Sequence, residues 1–417
     1  MRYERIKAKS LLSKPITADG WFHINRSMNA YRGCEHGCVY CDGMSESYHV
    51  DDFLTHVRIK ENAAQVLRRE LKKAGFTSRT ELQTETLWSF LDEEDAKRLA
   101  MKSPRKQVVG VCGGVSDGYQ PAEKEHEITR QVLEILLDFE MPVFVLTKSD
   151  LVLRDLDLLK KIHEVAFADV LFTITLADDE VQRIFEPRAS TTSERYKALK
   201  RVRKEGLFGG VMATPIIPGI GDTYENMRGL AKKAKRADAQ FILWGGMTLK
   251  PGRQKSHFLN VVRKRFPEKL ELLERIYRKN HPYGHPDHNE LPVNIMLRGY
   301  EICRDVEISD RTIRHRLPNE PATNNKVLGA LLDIVFRQTY LLGMSWNKST
   351  PYRELALRIE KGIGDLNKMR EEGELAERLM IDSQLLSTVE EILDTGSCQV
   401  LDDIHIRLDE LVSRNDA

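Results

Sequence analysis

The central part of the chain alternates short apolar runs with longer amphipathic segments. The short runs are rich in β-branched and aromatic residues, which is typical of strands covered by helices on both faces. Their first residues lie about 35, 27, 39 and 32 positions apart, a spacing that suits repeated βα units and a parallel sheet. The predicted strands are Gln107–Cys112, Pro142–Thr147, Asp169–Thr175, Phe208–Thr214 and Gln240–Trp244, preceded by one near Ser27–Tyr31.

The amphipathic segments predict the helices of these βα units. Thr192 and Asp222 are the predicted N-caps of two of them, and Gly206 is predicted to follow the end of one. Six units are too few for a closed barrel of eight, so the pattern predicts an α/β fold with a partial (β/α)6 TIM-like barrel. Its active site is expected on the loops after the strands. The predicted helices are Asn62–Ala74, Glu123–Asp138, Leu153–Val165, Thr192–Glu205 and Asp222–Arg236.

The pattern changes on both sides of this region and once within it. Residues 1–26 are predicted to be an N-terminal lead-in, residues 27–253 the partial barrel and residues 254–417 a mainly helical C-terminal region. Inside the barrel, the polar residues 75–106 are predicted to form an insertion with a short helix around Thr84–Ala100. The helices predicted for the C-terminal region are Val261–Lys279, Thr323–Leu342, Tyr352–Glu371 and Glu374–Leu393.

Composition narrows the class of protein. The 417 residues contain 64 Lys and Arg against 63 Asp and Glu, which gives a net charge of +1. This charge offers no global attraction to nucleic acid or membranes, although a local basic groove remains possible. No apolar run approaches the ~18 residues of a membrane span. The basic start lacks an apolar signal core, so a cytoplasmic protein is expected. Six cysteines do not suggest a disulfide framework.

Three of the cysteines lie together in a C-x3-C-x2-C arrangement, at Cys34, Cys38 and Cys41, with glycines at Gly33 and Gly37. Three thiolates can bind three irons of a [4Fe–4S] cluster and leave the fourth iron open to a small chelating molecule. The amino and carboxylate groups of S-adenosylmethionine (SAM) can chelate that iron. One electron would then cleave the S–C5′ bond of SAM and give a 5′-deoxyadenosyl radical.

Two other metal sites are compatible with the same cysteines. A zinc site would need a fourth protein ligand, which His36 or His49 could supply, and the protein would then be a non-catalytic zinc-binding protein. A ferredoxin-type cluster would need a fourth cysteine, but Cys112, Cys303 and Cys398 have no motif around them. Cys303 and Cys398 are interpreted as core residues. Tyr40, an aromatic residue that could pack against adenine, favours the SAM site.

Several ordered segments resemble the radical SAM superfamily, in the branch that includes spore photoproduct lyase and is often described as DNA repair photolyase-like. The resemblance extends from about Lys7 to Arg253. It implies a [4Fe–4S] cluster, SAM as cofactor, and an electron-donor partner such as flavodoxin or ferredoxin. The segments that carry it are Ser27–Tyr48, Val115–Glu123, Leu146–Asp157, Phe172–Arg195 and Ala213–Asp222.

The resemblance also implies roles for individual residues. Ser116 matches a family serine at the methionyl end of SAM, and Lys148 matches a lysine that pairs with the SAM carboxylate. Thr173 matches a hydroxyl residue near the SAM ribose, and Thr175 lies beside it on the same strand face.

Asp117, Glu186 and Arg195 match recurrent polar positions near SAM that have no firm role. Structural alternatives remain open, because Ser116 and Asp117 could cap a helix, and Glu186 and Arg195 could form an ion pair. Lys148 could be a solvated loop residue, although its place at the C-terminal end of a predicted strand, shared with Ser116 and Thr173, favours a functional role.

Two positions depart from spore photoproduct lyase. Gly114 stands where that enzyme has its hydrogen-donating cysteine, and Cys112, two residues earlier, is the candidate donor here. Asp42 replaces a tyrosine after the third cluster cysteine, and its charge would repel a phosphate backbone if it faced the cleft. Repair of DNA lesions is therefore an alternative but a disfavoured one, and the substrate stays open.

Two weaker signals lie in the C-terminal region. His281, His285 and His288, with two nearby carboxylates, could bind a second metal, although a simple loop is favoured. The basic stretch Arg311–Arg316 could contact phosphates, but a solvated surface is the favoured interpretation.

Overall fold

Six parallel strands form the main sheet of the computed structural model, in the order β2-β5-β6-β7-β8-β9. This confirms the partial (β/α)6 barrel. The described strand ends agree with the predicted ones to within two residues, except that the first strand ends at Met28, three residues before the predicted Tyr31. The strands are β1 Arg2–Ile6, β2 Arg26–Met28, β3 Tyr31–Arg32, β4 His56–Lys60, β5 Val109–Val111, β6 Val143–Thr147, β7 Ala168–Thr173, β8 Phe208–Ile216 and β9 Ile242–Gly246. The structure describes residues 1–16, 21–84, 104, 106–111, 115–312, 323–360 and 363–415.

Both faces of the main sheet are apolar. Val143 and Val145 of β6 point into the large core between strands and helices, whereas Phe144 and Leu146 point to the inner face of the barrel. Residues 21–24 cross that inner face, where the ring of Phe22 lies 5.1 Å from that of Phe144. The inside of the lower barrel is therefore packed rather than open.

Helices cover the outer face of the sheet. Two of them, Thr192–Lys204 and Tyr224–Arg236, have Thr191 and Thr223 as their N-caps. The predicted caps Thr192 and Asp222 are therefore wrong by one residue. The predicted helix Glu123–Asp138 is divided at Glu127, whose φ of 49° interrupts the helical conformation. Gly206 follows the last helical turn with φ +83°, as predicted. The helices are α1 Ala63–Lys73, α2 Arg79–Thr84, α3 Glu123–His126, α4 Ile128–Asp138, α5 Leu156–Val165, α6 Asp179–Phe185, α7 Thr192–Lys204 and α8 Tyr224–Arg236.

A small second sheet of order β1-β4-β3 was not predicted. Strand β1 pairs with β4 in parallel, so the predicted lead-in contains a strand. Its first four residues are exposed and largely polar, which hides the apolar pattern of a strand. The first part of the predicted insertion contains α2, whereas its predicted helix around Thr84–Ala100 lies, apart from Thr84, outside the described residues.

The C-terminal region is helical, as predicted, but three of its four predicted helices are each divided in two. Helix α11 packs against β9 and α8, and its Cys303 Sγ lies 3.2 Å from Trp244 Nε1. Beyond α11, Ser309 accepts a hydrogen bond from the backbone N–H of Ile242. The boundary near residue 253 stays a prediction. The helices are α9 Arg253–Arg265, α10 Leu270–Ile276, α11 Ile295–Val306, α12 Thr323–Leu341, α13 Trp346–Glu360, α14 Leu366–Glu371, α15 Leu375–Leu379, α16 Ser383–Thr395 and α17 Gln399–Asn415. Throughout the described ranges, every helix is too short or too polar to cross a bilayer.

Candidate active site

The cysteine loop, residues 33–44, lies against the segments that follow strands β5, β6 and β7. Val39 N donates to Phe185 O at 2.8 Å, and Arg188 N donates to His36 O at 3.1 Å. From the C-terminal side, Gln254 of α9 donates its side-chain amide to Tyr40 O at 2.9 Å. The loop is therefore at the edge of the barrel where parallel α/β folds place their active sites.

The three predicted cluster cysteines are brought together in this loop. Cys34 and Cys38 are buried and Cys41 is partly buried. Burial raises the pKa of each thiol to about 12, and the neighbouring thiols act in the same direction. Thiols in this environment become thiolates when a metal displaces their protons. Three thiols on one short loop fit an iron–sulfur cluster, in which each thiolate binds a separate iron.

The two histidines considered as zinc ligands lie elsewhere. His36 is buried, and its Nε2 lies 3.1 Å from Asp117 Oδ2. His49 is exposed at the end of a short 3-10 helix. Across the described ranges, His, Cys, Asp and Glu side chains nowhere converge in a group of three around a single metal ion. His36 is thus part of the support of the loop.

Positive φ angles and closely approaching atoms explain the glycines of the loop. Gly33 has φ +89°, and a Cβ built on it would lie 2.2 Å from the carbonyl oxygen of His56. Gly37 has φ +68°, and its Cβ would lie 2.7 Å from Arg188 Nη2. Only glycine combines this conformation with such close approach.

Gly33→Ala is expected to destabilise the protein markedly more than Gly206→Ala. Both glycines have positive φ, which costs an L-residue about 1–2 kcal/mol. At Gly206 no described atom lies within 4 Å of the added Cβ, whereas at Gly33 the Cβ meets a backbone oxygen. We expect a further ~2 kcal/mol at Gly33 from this overpacking. Urea unfolding of the cluster-free protein measures the free energy of unfolding of both variants. Equal destabilisation in the two variants would contradict the steric explanation.

Asp117 connects the cysteine loop to the ends of β5 and β6. Its carboxylate accepts hydrogen bonds from Thr147 Oγ1 and from the backbone N–H groups of Tyr119 and Lys148, each at 2.8 Å. Burial alone would raise its pKa, but His36 and these donors lower the pKa of Asp117 to about 2. Asp117 therefore stays charged and does not cap a helix, since the residue that precedes α3 is Ala122.

Two residues that the sequence did not single out support the same loop. Glu35 accepts the hydroxyl of Tyr3 at 2.7 Å and the backbone N–H of Ala122 at 2.6 Å. Gln120 accepts the N–H of Glu35 at 2.9 Å and donates to Gly33 O at 3.2 Å. These contacts join residues 32 to 87 positions apart, which no local pattern reveals.

A buried polar cluster lies beside Cys38. Tyr40 donates its hydroxyl to Glu186, whose other oxygen pairs with Arg195 at 2.5 Å. Burial alone would raise the pKa of Glu186, but Arg195 and Lys148 hold it below its usual value. The Lys148 ammonium lies 5.8 Å from the centroid of the Tyr40 ring. Burial would lower its pKa, but the anionic forms of Cys38 and Glu186 raise the pKa of Lys148.

The remaining predicted residues lie around this cluster. Thr173 is buried at the end of β7, and its carbonyl accepts a hydrogen bond from Arg195 at 2.7 Å. Thr175 is buried, with its hydroxyl 3.5 Å from Glu186. Ser116 is buried next to Asp117. The ion pair between Glu186 and Arg195 is therefore present, as the structural alternative proposed. Cys112 and Gly114 lie outside the described residues.

Two expectations about charge need correction. Asp42 does not present a free charge, because its carboxylate accepts Lys250 Nζ at 2.7 Å and the hydroxyl of Tyr48 at 2.8 Å. The predicted repulsion of a phosphate backbone is therefore offset by Lys250. Near His281, His285 and His288, the two carboxylates are already paired with basic side chains, Asp287 with Lys279 and Glu290 with Arg275, each at 2.8 Å.

Known proteins resemble the chain over the same region. Residues 28–234 match the model of the radical SAM superfamily. An uncharacterized protein of Mycobacterium tuberculosis is 26% identical over 294 residues, 69% of this chain and 77% of that protein. One of Methanocaldococcus jannaschii is 28% identical over 271 residues, 64% of this chain and 85% of that protein. A solved spore photoproduct lyase variant with bound AdoMet and dinucleoside spore photoproduct aligns at 15% identity, with a TM-score of 0.48, over 73% of this chain and 79% of that chain.

The matched segment contains the cysteine loop together with the ends of β5, β6 and β7 that contact it. SAM and an iron–sulfur cluster are the cofactors that this match implies. The chain belongs to the radical SAM superfamily.

Proposed function

We propose that the protein is an enzyme that holds a [4Fe–4S] cluster on Cys34, Cys38 and Cys41 and uses SAM. When both are bound, one electron from the cluster cleaves the S–C5′ bond of SAM, and the resulting 5′-deoxyadenosyl radical abstracts hydrogen from the substrate. The observation that carries the proposal is the placement of three thiols, two buried and one partly buried, on one loop beside Lys148 and Tyr40.

Lys148 is the residue proposed to bind the SAM carboxylate. Its ammonium lies over Tyr40, two residues after Cys38, and its own backbone N–H is held by Asp117. An ammonium can hold a carboxylate as a point charge. Ser116 is proposed to contact the methionyl end, and Thr173 and Thr175 the ribose.

Arg195 and Asp117 are proposed to act as positioning residues. Arg195 is fully buried and reaches Tyr40 through Glu186, so it orients the ring that Lys148 covers. Asp117 fixes both His36 and the backbone of Lys148. Neither has to touch SAM for its loss to disturb the site.

The electron must come from another protein, for which flavodoxin or ferredoxin is proposed. Hydrogen abstraction by the 5′-deoxyadenosyl radical would serve either a lyase or a modifying enzyme. Cys112, which lies outside the described residues, remains the candidate hydrogen donor of a lyase.

The function is tested by reducing the anaerobically reconstituted protein with dithionite in the presence of SAM. We expect slow formation of 5′-deoxyadenosine without any substrate, measured by liquid chromatography. A reconstituted, iron-loaded protein that binds SAM but never forms 5′-deoxyadenosine would contradict the proposal.

Lys148→Ala is expected to weaken SAM binding by about 1.5–3 kcal/mol, because a charge-assisted contact is lost. Calorimetric titration of the reconstituted variant with SAM measures the change. Lys160→Ala is the matched control, since Lys160 is a half-exposed lysine of α5 that pairs with Glu205. The carboxylate assignment would be wrong if Lys148→Ala bound SAM as tightly as the control variant.

A further inference from the structure

A cavity of about 900 Å³ lies beyond the C-terminal end of β9, between the barrel and helices α11, α12 and α13. Met247 and Tyr277 form part of its wall. Both also belong to the apolar cluster that contains Cys38 and Tyr40. The cavity therefore adjoins the cysteine site, and its volume is in the range that holds a small molecule or one unit of a larger one.

The described lining of this cavity is basic. It contains three arginines, Arg311, Arg337 and Arg353, and two histidines, while none of the described lining residues is acidic. The near-zero net charge of the chain says nothing against this, because a local groove can be basic in a neutral protein.

Arg311 is the least exposed of the three arginines, with 8% of its surface accessible. Its Nη1 donates to the carbonyl of Asp310 at 2.8 Å and lies 3.3 Å from the carboxylate of the same residue. Its Nε and Nη2 are buried and have no hydrogen-bond partner among the described residues. A buried charged group left without partners is costly. The interpretation of this arginine as part of a solvated surface is therefore wrong.

The other two arginines of the lining are more exposed than Arg311 and add positive charge to the cavity. Arg337 uses its Nε to bind Asp333 at 2.8 Å. Arg353 is exposed, with its guanidinium 5.4 Å from the centroid of the Phe336 ring. Tyr340, which also lines the cavity, is 62% exposed. Guanidinium groups and aromatic rings thus occur together in the lining of the cavity.

We propose that this cavity binds a phosphate group of a nucleotide unit of the substrate, held by the guanidinium groups of its lining arginines Arg311, Arg337 and Arg353. Two N–H groups of one guanidinium match two oxygens of a phosphate. A phosphate monoester carries nearly two charges at neutral pH, which suits several arginines better than a single carboxylate does. Aromatic side chains are the usual stacking partners of bases. The proposal rests on the proposed function, since it names the substrate class of that site.

Binding to the reconstituted protein is measured by anaerobic calorimetry with thymidine 5′-monophosphate, a pyrimidine ligand chosen because it lacks the adenine of SAM. We expect it to bind at least ~10-fold more tightly than thymidine, because charged hydrogen bonds are worth about 1.5–3 kcal/mol. Binding of thymidine-5′-carboxylate equal to that of the monophosphate would overturn the phosphate assignment. The same titration is repeated with a thymidine tetranucleotide, and its affinity is compared with that of the monophosphate. Much tighter binding of the tetramer assigns the phosphate to a nucleic-acid strand, and equal binding assigns it to a free nucleotide.

Arg311→Gln is expected to weaken binding of the monophosphate by about 10- to 100-fold. Because a buried arginine can also support folding, the exposed Arg353→Gln is tested in parallel and is expected to show a smaller loss. Arg201→Gln, an exposed arginine on α7, is the control. Unchanged binding in both the Arg311 and Arg353 variants would overturn the proposal.

The two hypotheses can fail separately. Slow cleavage of SAM without substrate requires no bound nucleotide, so it tests the proposed function independently of the cavity. Wild-type protein that binds the monophosphate but never forms 5′-deoxyadenosine would overturn the proposed function alone. Protein that forms 5′-deoxyadenosine but binds monophosphate no better than thymidine would overturn the cavity proposal alone.

Discussion

Replacement of Cys34, Cys38 or Cys41 by alanine is expected to abolish incorporation of iron. Wild-type protein reconstituted without oxygen should bind about four irons and four sulfides per chain, as a [4Fe–4S] cluster requires. Each of the three thiolates binds a separate iron, and the described loop offers no replacement ligand, because His36 lies against Asp117. Iron and sulfide analysis with ultraviolet–visible spectroscopy measures the loss.

Cys398→Ala is the matched control for these variants. Cys398 is also buried, but it lies in the core of the C-terminal helices with Leu401 and Ile404. Its substitution removes a thiol without touching the cysteine loop, so full iron loading is expected. One tightly bound zinc and no iron in wild-type protein would instead support a zinc site.

Arg195→Met is expected to destabilise the fold by about 3–5 kcal/mol, because it leaves a buried carboxylate without its cation. Glu186 and Arg195 are both fully buried, and Glu186 would keep only uncharged hydrogen-bond partners: the hydroxyl of Tyr40, the side-chain amide of Gln182 at 3.1 Å and the hydroxyl of Thr175 at 3.5 Å. Urea unfolding of cluster-free protein gives the free energy of unfolding. This readout does not depend on cofactor binding.

Arg201→Met on the same helix is the control for that loss. Arg201 is 55% exposed and pairs with Glu205 one turn later, a contact worth at most ~0.5 kcal/mol. Glu186→Gln combined with Arg195→Met is expected to recover part of the stability, since the uncompensated charge is removed.

The ion pair between Glu186 and Arg195 also makes the free energy of unfolding depend on pH. In the wild-type protein the pKa of Glu186 is lowered on folding, so its contribution to stability is present above its unfolded pKa and is lost as the pH falls. In Arg195→Met, protonation relieves the uncompensated charge, so the deficit relative to wild type should shrink at acid pH. A deficit that stays constant with pH would point to lost packing rather than charge.

Local patterns in the sequence were sufficient to predict the main sheet. Runs such as Pro142–Thr147 and Phe208–Thr214 are apolar on both faces, and the strands β6 and β8 occupy them to within two residues. Helix starts were less well determined, because Thr191 and Thr192 are the same residue type. The extended backbone of Thr191, with ψ 161°, and its capping box with Glu194 identify it as the cap.

The spacing of the cysteines was likewise visible in the sequence, since Cys34, Cys38 and Cys41 lie within eight consecutive residues. The contacts that hold the loop in place were not visible in the sequence. Asp42 meets Lys250 across 208 residues, and Tyr40 meets Glu186 across 146. Their pairing depends on the order of strands in the sheet, which local periodicity does not encode.

Charge showed the largest difference between sequence and structure. The sequence by itself determined that Arg311 begins a basic stretch, that the net charge is near zero and that three cysteines are close together. Only the tertiary structure decided that Arg311 is buried in a cavity beside the cysteine site, with two donors that no described residue accepts. The reason is physical: residue type sets the charge, but folding sets how much water remains to solvate it.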